Sequence, residues 1–409
     1  MTTATFLTRV ILRNYKSIAH CDVRLGPLTY LVGPNGSGKS NFLDALHFVR
    51  DALSGTLDNA LSERGGIFGV RRHTIEQSIG RSTSFGIRLV FRIRDGRSGY
   101  YAFEVGVLPE GGYEVQKEEC TIRDKENYKH FFRVEQGQVR ETSEKTFPAI
   151  MQDRLALVSV SGLPAFRPVF DALTSMGFYN LNPKLIREYQ KPQDGRFLKS
   201  SGENIASVIG HLERTAPESI ERIQEYLHIV VPMIHNVKRR QVGTMETLEF
   251  MESRQAIAGV MVLQFLAENM SDGTLRALGI LTALFQGNRD YSPSLIGIEE
   301  PETALHPAAS GALREALERA SENTQIIVTS HSPDLLDDMA LPVESLLTIV
   351  SDSGDTQLAP LDKGSRKIVH DRLFSVGELL RMNQLEPDPT AIHEQKKHRQ
   401  FDLFGEQTP

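Results

Sequence analysis

The chain has 409 residues, enough for two or three domain-sized units and a sizeable core. Apolar residues make up 40% and charged residues 24%, an ordinary globular mix, and no run of about 18 apolar residues offers a membrane span. A net charge of −6 argues against bulk electrostatic binding of nucleic acid, though not against a local basic patch.

The only cysteines, Cys21 and Cys120, lie far apart. Two isolated thiols suggest a reducing cytoplasmic setting and no metal site. Met1 to Arg9 shows no long apolar stretch before a small-residue cleavage site, so no secretion signal is expected.

Phe6 to Ile18 reads as a strand leading into a turn. A second strand, Leu28 to Val32, runs directly into Gly33-Pro34-Asn35-Gly36-Ser37-Gly38-Lys39-Ser40. That is a complete G-x-x-x-x-G-K-[ST] phosphate loop with a strand in front and a helix behind. Its glycines bring backbone N–H groups close to a phosphate chain, and the helix aims its positive end at the same charge. The backbone from Asn35 to Ser40 is expected to cradle the β-phosphate of ATP. Lys39 reaches the β- and γ-oxygens, and the Ser40 hydroxyl ligates Mg2+.

The following helix gathers Phe42, Ala45, Leu46, Val49 and Leu53 on one face. After Gly65-Gly66 comes a short basic patch, Arg71-Arg72-His73. From Phe85 the apolar period becomes two, with Asp95-Gly96 as a turn and Tyr101, Phe103, Val105 and Val107 on the return strand. More short strands are expected up to Val139. From about Pro148 to Arg240 the pattern reads as helical: Ile205, Val208, Ile209 and Leu212 share one face, and Ile220, Ile223 and Leu227 another. The α/β pattern returns beyond Thr247. The tail after about Leu385 is polar and is expected to be loosely ordered.

Three further segments carry chemistry. Leu295-Ile296-Gly297-Ile298 is a buried strand that ends in Glu299-Glu300-Pro301-Glu302. Beside a phosphate loop, Glu299 is expected to hold the metal and Glu300 to orient and deprotonate the attacking water. Ser271-Asp272-Gly273-Thr274 opens a helix through Leu275, Leu278, Leu281 and Phe285. By spacing alone it is equally an ordinary capped helix and a γ-phosphate site built on Ser271 and Gly273. Thr329-Ser330-His331-Ser332-Pro333 puts a histidine just past a buried strand, within reach of a γ-phosphate or of the water.

Taken in order, GPNGSGKSN (33–41), SDGTLR (271–276), IEEPETALHP (298–307) and VTSHSP (328–333) resemble the ABC-type ATPase head in its SMC/RecF/OLD branch. The resemblance covers residues 4–140 and 245–362. It implies an α/β fold: a mixed central sheet with an antiparallel β-lobe, plus an inserted helical lobe. On that pattern residues 1–147 form the first ATPase lobe, 148–245 the helical insertion and 246–362 the second lobe. Residues 363–409 add a helical segment and a flexible tail.

The resemblance further implies that two heads sandwich two nucleotides. Ser271 and Gly273 then act in trans, while Lys39, Ser40, Glu299, Glu300 and His331 act in cis; Asn35, Gly36, Ser37, Gly38 and Asn41 complete the nucleotide site. Glu299 stands where this pattern usually carries Asp, and Asp272 where transporters carry a small residue. Gln77 is the candidate for the glutamine loop. Only about 78 residues follow His331, too few for the nuclease domain of OLD-like nucleases, so a separate nuclease partner is expected. The leading reading is a dimerising ATPase that controls an effector in phage defence. The alternative is a RecF-like DNA-binding ATPase, with Arg71-Arg72 and Lys238-Arg239-Arg240 as phosphate contacts. A transporter subunit ranks last, because the signature is not the transporter type.

Overall fold

A computed structural model describes residues 5–72, 84–256, 259–287, 292–303, 305–398 and 403–405. The chain divides into two compact units: 1–176 with 340–374 and 379–409, and 177–339 with 375–378. The fold is mixed α/β, with several sheets.

The first unit opens with β1 (Leu7–Tyr15), β2 (Ile18–Arg24) and β3 (Leu28–Val32). Helices α1 (Lys39–Ser54), α2 (Leu57–Ser62) and α3 (Gly66–Val70) follow the phosphate loop. Then come β4 (Ser84–Arg92), β5 (Ser98–Val107), β6 (Tyr113–Arg123), β7 (Lys129–Glu135) and β8 (Gln138–Thr142), with α4 (Ala156–Val160) and α5 (Arg167–Thr174). An antiparallel sheet runs β2-β1-β4-β5-β6-β7-β8. Strict alternation in β4 and β5 places Phe85, Phe103 and Tyr101 in the interior, beside Tyr15 and Phe48. The apolar face of α1 is buried as its spacing requires.

The outer face of α1 is fixed by charge. Asp44 accepts from Tyr15 Oη at 2.7 Å and pairs with Lys16 at 2.6 Å and Arg64 at 2.8 Å. Arg64 reaches on to Asp51 at 2.9 Å. Burial pushes the Asp44 carboxyl up, but Arg64 and Lys16 outweigh it and hold it below its usual range.

The second unit begins with β9 (Gly177–Tyr179), α6 (Pro183–Arg187), α7 (Ile205–Thr215) and α8 (Pro217–Val230). Strands β10 (Ile234–Val242), β11 (Met245–Ala256) and β12 (Gly259–Leu266) form an antiparallel meander. Next come α9 (Asp272–Phe285), β13 (Leu295–Glu299), α10 (Ser310–Ser321), β14 (Gln325–Ser330) and α11 (Pro333–Leu336). β13 pairs in parallel with both β14 and β9. The stretch read as helical from 148 to 240 therefore also contains two strands. In β10, Ile234 and Val237 are both buried although three residues apart, because the register shifts between Ile234 and Asn236. That bulge imitates helical spacing.

The chain returns to the first unit with β15 (Leu346–Asp352) and β16 (Asp355–Pro360), an antiparallel hairpin turning at Ser353-Gly354. β15 lies parallel to β3. Residues after Leu385, expected to be loosely ordered, include a helix at Pro389–His398. Its Gln395 side chain donates to Asp22 O at 3.1 Å and Leu358 O at 2.9 Å. Beyond it, Leu403 O and Gly405 O accept from the buried Arg88 guanidinium at 3.0 and 2.9 Å. Both cysteines are buried and free. No helix of the described residues is long and apolar enough to cross a membrane.

Candidate nucleotide site

The phosphate loop spans the gap between β3 and α1 in the first unit. It is pressed against the β15–β16 hairpin. A Cβ on Gly33 would lie 2.0 Å from Ile349 O, and one on Gly38 2.1 Å from Thr356 Oγ1. Gly38 also has φ 103°, a left-handed value that disfavours a side chain. Thr356 Oγ1 donates to Ser37 O at 3.0 Å and lies 2.7 Å from Ser17 Oγ. The Asn41 amide donates to the same Ser17 hydroxyl at 2.6 Å. Asn41 is thus engaged in the scaffold behind the loop.

Asn35, Gly36 and Ser40 are exposed, while Ser37 and Lys39 are buried. Lys39 Nζ donates to Gly33 O at 2.8 Å and Pro34 O at 3.0 Å, folding back over the loop. Among the described residues the buried Ser37 hydroxyl has no hydrogen-bond partner. An orphaned donor on such a loop suits an incoming phosphate oxygen.

The second unit carries the acidic strand end, the signature segment and the histidine. β13 delivers Glu299 and Glu300 at its carboxyl end. Glu300 has φ 43°, a conformation a non-glycine residue holds only under constraint. The constraints are visible. Its N–H donates to Thr329 O at 3.0 Å and Thr329 Oγ1 at 3.1 Å. Its carbonyl accepts from Arg276 Nη2 at 3.2 Å. Its carboxylate Oε1 lies 3.1 Å from His331 Nδ1. A carboxylate oxygen accepts, so Nδ1 is the donor in this contact.

Two residues without an assigned role in the sequence reading support this pair. The Glu302 side chain is only 7% exposed, and its Oε1 accepts from Ser330 Oγ at 2.7 Å and from His331 N at 3.3 Å. Arg276, five residues after Ser271 on α9, donates to Leu181 O at 3.2 Å and to Glu299 O at 3.4 Å. Burial lowers its pKa, and Glu302 and Glu300 act in the opposite direction. A glutamate or arginine next to a motif is a weak signal; the hydrogen bonds across strands assign these two.

Ser271 caps α9, its Oγ accepting from Thr274 N at 3.2 Å, and Gly273 lies in the first turn. Asp272, in the same turn, pairs with Arg187. Gln77 and His73 lie outside the described residues.

The basic patches are engaged within the chain. Arg72 pairs with Asp355 and donates to Ser17 O at 3.3 Å, and the Arg71 guanidinium stands 5.0 Å from the Phe68 ring centre. On β10, Lys238 and Arg240 pair with Glu249 at 3.8 and 3.0 Å, and Arg239 with Glu246 at 3.4 Å. Both patches serve the fold.

Comparison with known proteins gives consistent relatives. Residues 28–112 and 264–337 match the family described as "AAA domain, putative AbiEii toxin, Type IV TA system". The Old nuclease of Escherichia phage P2 is 21% identical over 373 residues, covering 86% of this chain and 60% of that protein. The DNA replication and repair protein RecF of Porphyromonas gingivalis is 42% identical over 89 residues, 20% of this chain and 23% of RecF. The chain thus spans less than two thirds of the length of either relative. An SMC head, solved bound to the C-winged helix domain of ScpA, superposes with a TM-score of 0.51 at 14% identity. It covers 88% of this chain and 99% of that one, a likeness of fold.

Proposed function

We propose, from the premise that the chain belongs to the SMC/RecF/OLD-like branch of the ABC-type ATPases, that it hydrolyses ATP with Mg2+ and dimerises around it. The dimer controls a separate effector nuclease in phage defence. A nuclease is proposed as the effector because the Old nuclease of Escherichia phage P2 is matched over 86% of this chain.

Each site residue has a role under this reading. The backbone of Asn35, Gly36, Ser37 and Gly38 holds the phosphates, and Lys39 leaves the loop carbonyls for the β- and γ-oxygens. Asn41 fixes the loop from behind. Ser40 and Glu299 offer a hydroxyl and a carboxylate, oxygen donors suited to Mg2+. When bound, that ion neutralises the phosphate charge. Glu300 orients the attacking water and takes its proton, and His331 positions Glu300. Ser271 and Gly273 serve the partner copy's nucleotide.

The observation that carries the reading is Glu300, held at φ 43° by Thr329 and Arg276 with its carboxylate on His331. Strain of this kind is kept where an acid must point one way. Glu300→Gln is expected to bind ATP, cut turnover at least about a hundredfold and accumulate dimer in ATP. Lys39→Ala is expected to abolish nucleotide binding. Full turnover in both variants would refute the proposal.

A RecF-like DNA-binding role is the second reading, favoured by the RecF match. It requires duplex DNA binding that weakens steeply with salt. The internal pairing of both basic patches weighs against it.

A further inference from the structure

Asp272 poses a physical problem. Under the reading above, the first turn of α9 meets the γ-phosphate of a nucleotide held by a second copy. A carboxylate there repels that phosphate unless a cation stands between them.

The cation is Arg187, the last residue of α6. Its Nη2 donates to Asp272 Oδ1 and, at 3.0 Å, to Met270 O. Its Nε and Nη1 make no hydrogen bond among the described residues. Most of its donor fork is therefore open to a further acceptor.

The placement of Arg187 is built into the packing. Asn182 caps α6, accepting from Lys184 N at 3.0 Å, and Pro183 starts it. Ile186 is buried against α9, where a Cβ on Gly279 would meet Leu181 Cδ1 at 2.8 Å and Ile186 Cδ1 at 3.3 Å. Arg276 fastens the same segment through Leu181 O. The register of α6 on α9 thus sets Arg187 beside Ser271.

The pair itself is weak. The Arg187 and Asp272 side chains are 29% and 59% exposed. Solvent-facing pairs of this kind contribute little and exchange readily. A terminal phosphate carries more charge than one carboxylate and matches the guanidinium fork. The carboxylate occupies the guanidinium as an anionic ligand would.

We infer that Arg187 acts in trans on the γ-phosphate held by a second copy, and that Asp272 is its displaceable placeholder until the copies close. This deepens the ATPase reading and rests on it. Two charges that meet only in the closed dimer make turnover depend on assembly. The placeholder keeps the arginine from other anions before assembly.

The test is complementation between two inactive variants. Arg187→Ala is expected to bind a fluorescent ATP analogue within about twofold of wild type, because its own phosphate loop is intact. Its turnover is expected to fall about a thousandfold, the scale of a lost trans arginine. Lys39→Ala is inactive for the opposite reason, with an intact Arg187. In a mixed dimer the Arg187→Ala copy supplies a nucleotide and the Lys39→Ala copy supplies the arginine. An equal mixture with random pairing has half its dimers mixed, each with one competent site, so about a quarter of wild-type turnover returns. Arg187→Gln, which keeps most of the stem, repeats the measurement should Arg187→Ala not fold.

Arg187→Ala within threefold of wild-type turnover overturns the inference. Inactive Arg187→Ala that the mixture fails to restore also overturns it, by placing the role of Arg187 within its own chain. Persistent turnover in Lys39→Ala alone would instead refute the underlying ATPase reading.

Discussion

Gly38→Ala tests whether the phosphate loop depends on the strand hairpin behind it. A Cβ at Gly38 would stand 2.1 Å from Thr356 Oγ1, 2.7 Å from its Cγ2 and 2.9 Å from its Cβ. The residue also sits at φ 103°, which costs a side chain about 1 kcal/mol. Thr356 must move, and its hydroxyl then leaves Ser37 O and Ser17 Oγ, two hydrogen bonds worth about 1 kcal/mol each. The expected loss is about 3 kcal/mol, read from urea unfolding followed by circular dichroism. Thr356→Ala alone loses the same two bonds, about 2 kcal/mol. The double variant has no hydroxyl left to displace, so it is expected to cost about 3 kcal/mol rather than the additive sum of about 5. Additive behaviour, or a single-variant loss below about 1 kcal/mol, would refute the claim that Thr356 sets the loop. ATP affinity of Gly38→Ala is expected to fall in parallel.

Arg276→Lys keeps the charge but cannot reach Leu181 O, Glu299 O and Glu300 O together. Turnover is expected to drop about 10- to 100-fold with ATP affinity within about twofold, and an equal loss of both would contradict a positioning role. Glu118, buried on β6, accepts from Ala156 N at 2.5 Å, Leu157 N at 2.8 Å and Tyr101 Oη at 2.9 Å. Burial pushes its carboxyl up to about 7, the hydrogen bonds opposing. Because the folded value lies above the unfolded one, its stabilising share is complete below the usual carboxylate range and is lost as pH rises to about 7. Glu118→Gln is expected to flatten the fall of the urea midpoint between about pH 5 and 7, a slope of at most about 1.4 kcal/mol per pH unit. Parallel curves for the two proteins would count against that assignment.

The phosphate loop and the acidic strand end were legible because each is written in consecutive residues. The supports of the site were not. Ser37 O is held by Thr356, 319 positions away, and no local pattern in either segment announces the other. Glu302 and Arg276 belong to motifs visible in the sequence, yet their roles follow from which strand lies alongside. Lys238 and Arg240 read as a free basic patch because their neutralising Glu249 is brought opposite only by the β10–β11 register. That register was itself hidden by the bulge that mimics a helical period.

The anchoring of Leu403 to Gly405 decides how this molecule can be dissected. Arg88 is 3% exposed and stacks 3.8 Å from the Tyr100 ring centre. Cutting the chain at His398 removes two of the carbonyl acceptors of a cation sunk in the β-lobe, a loss on the order of 3 kcal/mol. Trimming the chain before Leu403 would therefore mimic a catalytic defect by loosening the lobe that bears the phosphate loop.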